Sequence, residues 1–256
     1  MNNNKASEVG ATLLEIGDIL MGSGANTMRI RETMTRIAHS LGYNIELMIT
    51  HRALSISLSN KDGDFVFSKI KRISPHGVNF RAISAICHMS WNALDEKWSL
   101  EKINNEIARI KKLAHYPRLV LLVLVAFADA GFCHNFGGGW KELLVTGIAT
   151  FVGMTVKQEF GKRHYNPYIC VYIAAFVASL LASCSYLIPV EMCNAKAIAT
   201  SVLFLVPGVP LINSITDLVQ GNIQNGVFRG INAFIICFAL ACGLFTTALI
   251  FNQNLL

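Results

Sequence analysis

The feature that most limits what this chain can become is an abrupt loss of charge after Arg118. Residues 1–118 hold 16 of the 22 Lys and Arg and 11 of the 16 Asp and Glu, leaving 22 − 16 = 6 basic and 16 − 11 = 5 acidic side chains for the rest. The whole chain of 256 residues is 53% hydrophobic and 15% charged, against about a quarter charged in an ordinary soluble domain. The imbalance belongs to the second half, which has too little polar surface to face water. Two domains are therefore expected: a cytoplasmic α+β domain over residues 1–116 and a transmembrane domain over 117–256.

In hydrocarbon every backbone polar group must be satisfied within its own segment, so a crossing helix needs about 20 mainly apolar residues. Five segments meet that requirement: residues 117–136, 140–158, 167–189, 196–216 and 230–251. The third and fifth carry no charge, and Trp140, Tyr165, Tyr168 and Tyr186 mark ends where amphipathic rings favour the interface. The fold class expected is an α-helical multi-pass membrane protein of about five spans, preceded by the α+β domain. Lys157, Lys162 and Arg163 follow the second span and Arg229 the fourth, whereas Lys141 and Lys196 on the other side are offset by Glu142 and Glu191. Positive loops stay inside, which places the N-terminus in the cytoplasm and the C-terminus outside. The polar stretch from Met1 to Ala6 has no apolar run behind it and is not expected to be a cleaved leader.

The first half reads as a folded domain. Val9, Leu13, Ile16 and Leu20 recur at helical spacing up to Met21-Gly22-Ser23-Gly24, where glycine ends a helix cheaply. A second helix carries Ile30, Met34, Ile37 and Leu41 on one face and Arg29, Glu32, Thr33 and Arg36 on the other, and Gly42 closes it. The period then changes to two: Ile45, Leu47 and Ile49, followed by Leu54, Ile56 and Leu58, predict strands buried on one face. Asn60-Lys61-Asp62-Gly63 supplies a hairpin turn before Phe65-Val66-Phe67. Helices are expected over 78–94 and 99–114, the second capped by Ser99 with Lys102 where a capping box wants an acid.

Several function classes are excluded by what is missing. Most of the net charge of +6, 16 − 11 = +5, lies in residues 1–118, partly clustered as Lys102, Arg109, Lys111, Lys112 and Arg118 before the first span and not interleaved with aromatics, so nucleic acid is not an expected partner. Seven cysteines, Cys193 among them, include no C-x-x-C pair, and His39, His51, His76, His88 and His115 lack ligand spacing. No nucleophile–base pair is visible, so neither an enzyme nor a cofactor or metal is expected.

Chemistry concentrates in the fourth span. In Val206-Pro207-Gly208-Val209-Pro210-Leu211-Ile212-Asn213-Ser214-Ile215-Thr216-Asp217 the two prolines remove the donors for the carbonyls of Leu203 and Val206, and Gly208 adds freedom, so the helix should break. Transporters aim the N-terminus of such a half-helix at an anionic substrate group. The half-helix is expected from Leu211, with Asn213 and Asp217 on one face four residues apart. Asp129 is a second acid at membrane depth, where such groups serve relays and ion sites, and His134 is its expected partner.

These residues carry a family resemblance. Leu20-Met21-Gly22-Ser23-Gly24-Ala25-Asn26-Thr27-Met28-Arg29, then Tyr116-Pro117-Arg118, Gly138-Gly139-Trp140 and above all the string from Val206 to Asp217 resemble the threonine/serine exporter family of bacterial inner-membrane proteins. The resemblance covers nearly the whole chain. It implies a subunit of an inner-membrane exporter of small carboxylate metabolites: the larger, five-span subunit of the split form associated with succinate, working with a smaller membrane subunit. The fused form is associated with threonine and serine. Pro207, Gly208, Pro210, Asn213 and Asp217 match the family's pattern, whereas Asp129 does not belong to it and rests on physical argument alone. On this reading Pro207, Gly208 and Pro210 open the helix, backbone donors and Asn213 hold the substrate carboxylate, and Asp217 and Asp129 couple movement to protons. The alternative is a membrane-anchored metabolite sensor whose soluble domain is the active part.

Overall fold

The computed structural model describes residues 2–60, 63–73, 77–112, 117–184 and 194–251. The first helix, α1 (Asn2–Gly22), forms where Val9, Leu13, Ile16 and Leu20 recur on one face, and all four are buried. It ends in the glycine turn: Gly24 has φ +86°, a left-handed conformation that costs glycine little, and Ala25 N–H donates to Leu20 O at 3.0 Å. Asn26 then accepts from Arg29 N–H at 2.8 Å and caps α2 (Thr27–Ser40), whose Ile30, Met34 and Ile37 are buried.

Three antiparallel strands follow in the order β1 (Asn44–Ile49), β2 (Ala53–Ser59) and β3 (Phe65–Arg72). Leu47 faces Ile56 across the first pair and Ile56 faces Lys69 across the second. The alternation read in the sequence is the alternation of burial, with Leu54, Ile56 and Leu58 turned to the core. Of the expected hairpin turn, Lys61 and Asp62 lie outside the described residues; beside them Gly63 has φ +89° and Asn60 N–H donates to Asp64 O at 3.0 Å. Helices α3 (Phe80–Asp95) and α4 (Leu100–Lys111) complete the core with Ile83, Ile86, Met89, Ile103 and Ile107. Ser99 caps α4 by accepting from Lys102 N–H at 3.3 Å. Residues 113 and 114 of the expected 99–114 helix, together with His76, His115 and Tyr116, lie outside the described residues.

The remaining helices are α5 (Arg118–Asn135), α6 (Trp140–Lys162), α7 (Pro167–Ser183), α8 (Asn194–Thr200), α9 (Gly208–Val219) and α10 (Ile223–Phe251), with a single 3-10 turn at Leu203–Leu205 between α8 and α9. The chain divides into two compact units, one of Met1–Ala114 with Val209–Ile231 and one of His115–Gly208 with Asn232–Leu256. The first therefore takes in a segment from far along the chain, most of α9 and the start of α10.

The second unit is apolar on the outside. Leu119, Leu124, Phe127, Ile148, Phe234, Phe238, Phe245 and Leu249 are 58–72% exposed, while Ala174, Ala175, Ala178 and Ala182 are buried. Small residues inside and large apolar ones outside is the arrangement of helices packed in lipid. Ser179 and Thr247 join α7 to α10 through hydroxyls 2.7 Å apart, and Tyr172 and Thr246 do the same at 3.2 Å. Among the described residues α5 and α10 are each long and apolar enough to cross a membrane, and α8 with α9 reaches that length only as one broken pair. Helix α6 has 23 residues but carries Lys141, Glu142, Lys157, Glu159 and Lys162. Helix α7 is mainly apolar and 17 residues long, and the end of the third expected span, residues 185–189 with Tyr186, lies outside the described residues, as do Glu191 and Cys193.

The closeness of α7 and α10 is set at Gly243, where a Cβ would stand 2.7 Å from Tyr172 O, 2.8 Å from Ala175 Cβ and 3.0 Å from Phe176 N. Backbone cannot yield as a side-chain tip does. Gly243→Leu is expected to destabilise the protein by about 3 kcal/mol, as overpacking does, whereas Gly161→Ala, with nothing within 4 Å, should be neutral or stabilising. Thermal melting of the two variants in detergent checks the contrast.

Candidate functional site

The break in the fourth expected span lies at Val206 and Pro207. Proline crowds the residue before it out of the helical region, and Val206 is extended, with φ −61° and ψ 125°. The two carbonyls left without their helical donors are satisfied locally: Leu203 O accepts from Val206 N–H at 3.0 Å and Val206 O from Gly208 N–H at 2.9 Å. Pro210 breaks nothing. Helix α9 starts at Gly208, three residues before the expected Leu211, and Pro210 occupies its first turn, where the missing N–H has no partner to lose. Gly208 has open space where a side chain would be.

Asn213 and Asp217 point from one face of α9, and the first unit brings them to the loop and first turn that lead into α2. Asn213 Nδ2 donates to Gly24 O at 2.8 Å. Asp217 is fully buried; Oδ1 accepts from Thr27 N–H at 3.0 Å and Oδ2 from Thr27 Oγ1 at 3.1 Å. A carboxylate on the first N–H groups of a helix is favoured by both the hydrogen bonds and the helix dipole. Arg229 Nε stands 3.2 Å from Oδ2, and its Nη2 donates to Ala25 O at 2.9 Å. Asn225 Nδ2 donates to Thr27 Oγ1 at 3.2 Å and to Ile49 O at 2.9 Å, while its buried Oδ1 has no hydrogen-bond partner among the described residues. His51 stacks on Phe228 with ring centroids 5.8 Å apart, and partial burial, with the charges of Arg52 and Arg229, holds its imidazole below the usual histidine pKa.

Asp129 occupies the other unit. It is 3% exposed, and its Oδ2 accepts from Thr150 Oγ1 at 3.0 Å and from Phe204 N–H at 3.3 Å. Thr150 also meets Ser201 O at 3.3 Å. The acid thus sits on the 3-10 turn that precedes the break, and it meets Thr150 and Phe204 where His134 was expected; His134 is exposed. A hydroxyl and a backbone N–H leave a buried carboxylate without a counter-charge among the described residues. Burying a charge without a partner is costly.

Sequence reasoning missed Thr27, Arg229, Asn225 and Thr150. Arg229 had been counted as a loop charge, whereas in the structure it lies on α10 and neutralises Asp217. Thr27 was visible inside the Gly24-Ala25-Asn26-Thr27 string, but nothing local shows that it faces a residue 190 positions away.

Residues 11–251 match the profile of the threonine/serine exporter family. The chain is 31% identical over 226 residues to a Klebsiella aerogenes protein named "Probable succinate transporter subunit YjjP", covering 88% of this chain and 86% of that one. An Escherichia coli K12 protein of the same name is 27% identical over 245 residues, 95% and 94% of the two chains. A Corynebacterium glutamicum protein named threonine/serine exporter is 22% identical over 215 residues, 80% of this chain and 44% of that protein. No solved structure matches.

Removing one partner of a buried ion pair strands the other. Asp217→Ala is expected to lower stability by about 3 kcal/mol or more, and Thr27→Val with Asp217→Ala should be less than additive by about 1 kcal/mol or more, as for residues in one network. Denaturant unfolding of the four proteins of that cycle measures both.

Proposed function

The chain belongs to the threonine/serine exporter family, and from that premise we propose that it is the larger subunit of a two-component inner-membrane exporter of small carboxylate metabolites, with succinate as the first candidate and threonine or serine next. A 94% match to the length of a protein named as a transporter subunit, against 44% of a relative named threonine/serine exporter, supports a second membrane subunit as partner. The observation that carries the transport reading is Asp129, an acid buried without a counter-charge among the described residues and bonded to the turn before a broken helix. A mere anchor has no use for such an acid.

The proposed topology has residues 1–116 in the cytoplasm and five spans over 117–136, 140–158, 167–189, 196–216 and 230–251, ending with the C-terminus outside. Lys157, Lys162 and Arg163 support it; Arg229, paired with Asp217, no longer counts among the loop charges. In this reading Pro207 opens the fourth span, Gly208 and Pro210 leave α9 a clear first turn, and its backbone donors with Asn213 attract the substrate carboxylate. Asp129 is the acid that couples movement to protons. Asp217, saturated by Thr27 and Arg229, anchors α9 to α2.

Cells lacking the chain and its partner, complemented with variants and loaded with labelled succinate or threonine, test this. Pro207→Ala and Asp129→Asn should each cut efflux at least about tenfold, roughly 1.4 kcal/mol of barrier, at wild-type amounts of protein in the membrane, while Pro210→Ala should matter far less. Wild-type efflux with Asp129→Asn contradicts the coupling role. A reporter fused after Leu256 that is active only in the cytoplasm contradicts the topology.

A further inference from the structure

The polar face of α2 lies apart from the contacts of Asp217 and Asp129. Arg29, Glu32, Thr33 and Arg36 recur at three- and four-residue intervals, so they line one side of the helix over about two turns. Opposite them α3 presents Cys87 and Trp91, and a cavity of 470 Å³ lies between the two helices within the first unit.

Arg36 is held in place at this cavity. Its guanidinium lies over the Trp91 ring at 3.7 Å from the centroid, and Nη1 donates to Ser90 Oγ at 2.6 Å. Ser90 is fully buried and donates in turn to Cys87 O at 2.7 Å, so the chain of bonds holds the fork from behind. A guanidinium has five N–H donors, and the hydroxyl uses one. Stacking removes rotamer freedom before any ligand arrives, and such ordering is what a binding arginine otherwise loses on contact. Neither Arg29 nor Arg36 makes an ion pair among the described residues, although acids elsewhere on this unit pair readily: Asp18 with Lys71 at 2.8 Å and Glu96 with Lys102 at 3.2 Å.

We propose that this α2–α3 cleft binds a small carboxylate-bearing metabolite, with the carboxylate on the forks of Arg36 and Arg29. Two guanidiniums against the one acid in the lining, Glu32, leave the cleft with a single net positive charge. That favours a compact anion with one or two carboxylates, or an amino acid whose ammonium meets Glu32, over a polyphosphate. Arginine suits a planar carboxylate because its donors are paired and coplanar. The inference stands whether or not the ligand is the exported species.

Cys87, half-buried in the lining, is a reporter for occupancy. The full chain in detergent is treated with a maleimide, and alkylation of the Cys87 peptide is followed by mass spectrometry in the presence of succinate, threonine or inorganic phosphate. At about ten times its dissociation constant a ligand that covers the thiol should slow alkylation about tenfold. Succinate or threonine is expected to do so and phosphate is not; which of the two acts identifies the dicarboxylate or the amino acid. Arg36→Lys keeps the charge but loses the fork, and Arg29→Gln sits on an exposed position, so both should fold and both should weaken protection by about tenfold or more. Unprotected Cys87 with both carboxylates, equal protection by phosphate, or protection unchanged in the two variants would each overturn the proposal. Efflux is not the readout, so failure here leaves the transport reading standing.

Discussion

The buried carboxylate of Asp217 is the interaction on which the first unit's architecture turns. A fully buried acid persists only with its charge met and its lone pairs occupied. Here Thr27 supplies both a backbone N–H and a hydroxyl, and Arg229 supplies the charge. Those contacts bind α9 and the start of α10 to the first turn of α2, which is why Val209–Ile231 belongs to the same unit as residues 1–114. The strings around Gly24 and around Pro207, separate in the sequence, owe part of their composition to one another: Asn213 closes on Gly24 O, and Arg229 on Ala25 O.

Asp129 is the opposite case. Its partners, Thr150 and the Phe204 N–H, carry no charge. The two acids look alike on paper, each near the broken span, yet one is locked and the other is held on neutral donors at a turn. That difference in partners is the physical basis for proposing different tasks for them.

What could be read beforehand followed from local rules. The face of α1, the alternation of Leu54, Ile56 and Leu58, the Ser99 cap and the interruption near Pro207 all depend on residues within one or two turns of each other. Even so, the sequence placed the start of α9 at Leu211, because two prolines suggest two breaks; the structure needs only the first, since Pro210 falls in a first turn that tolerates it. Pairings across the chain were out of reach. No periodicity links Thr27 to Asp217 or Asp129 to Thr150, and a charge rule that counts loop arginines has no way to know that Arg229 is already spoken for.

In the proposed function this chain, with a second membrane subunit, moves small carboxylates. The most direct test is counterflow in proteoliposomes holding both subunits, preloaded with unlabelled succinate and supplied with trace labelled succinate outside. Transient accumulation of label that requires both chains and disappears with Pro207→Ala is the expected result. Accumulation equal to that of protein-free liposomes, for succinate, threonine and serine alike, would contradict it.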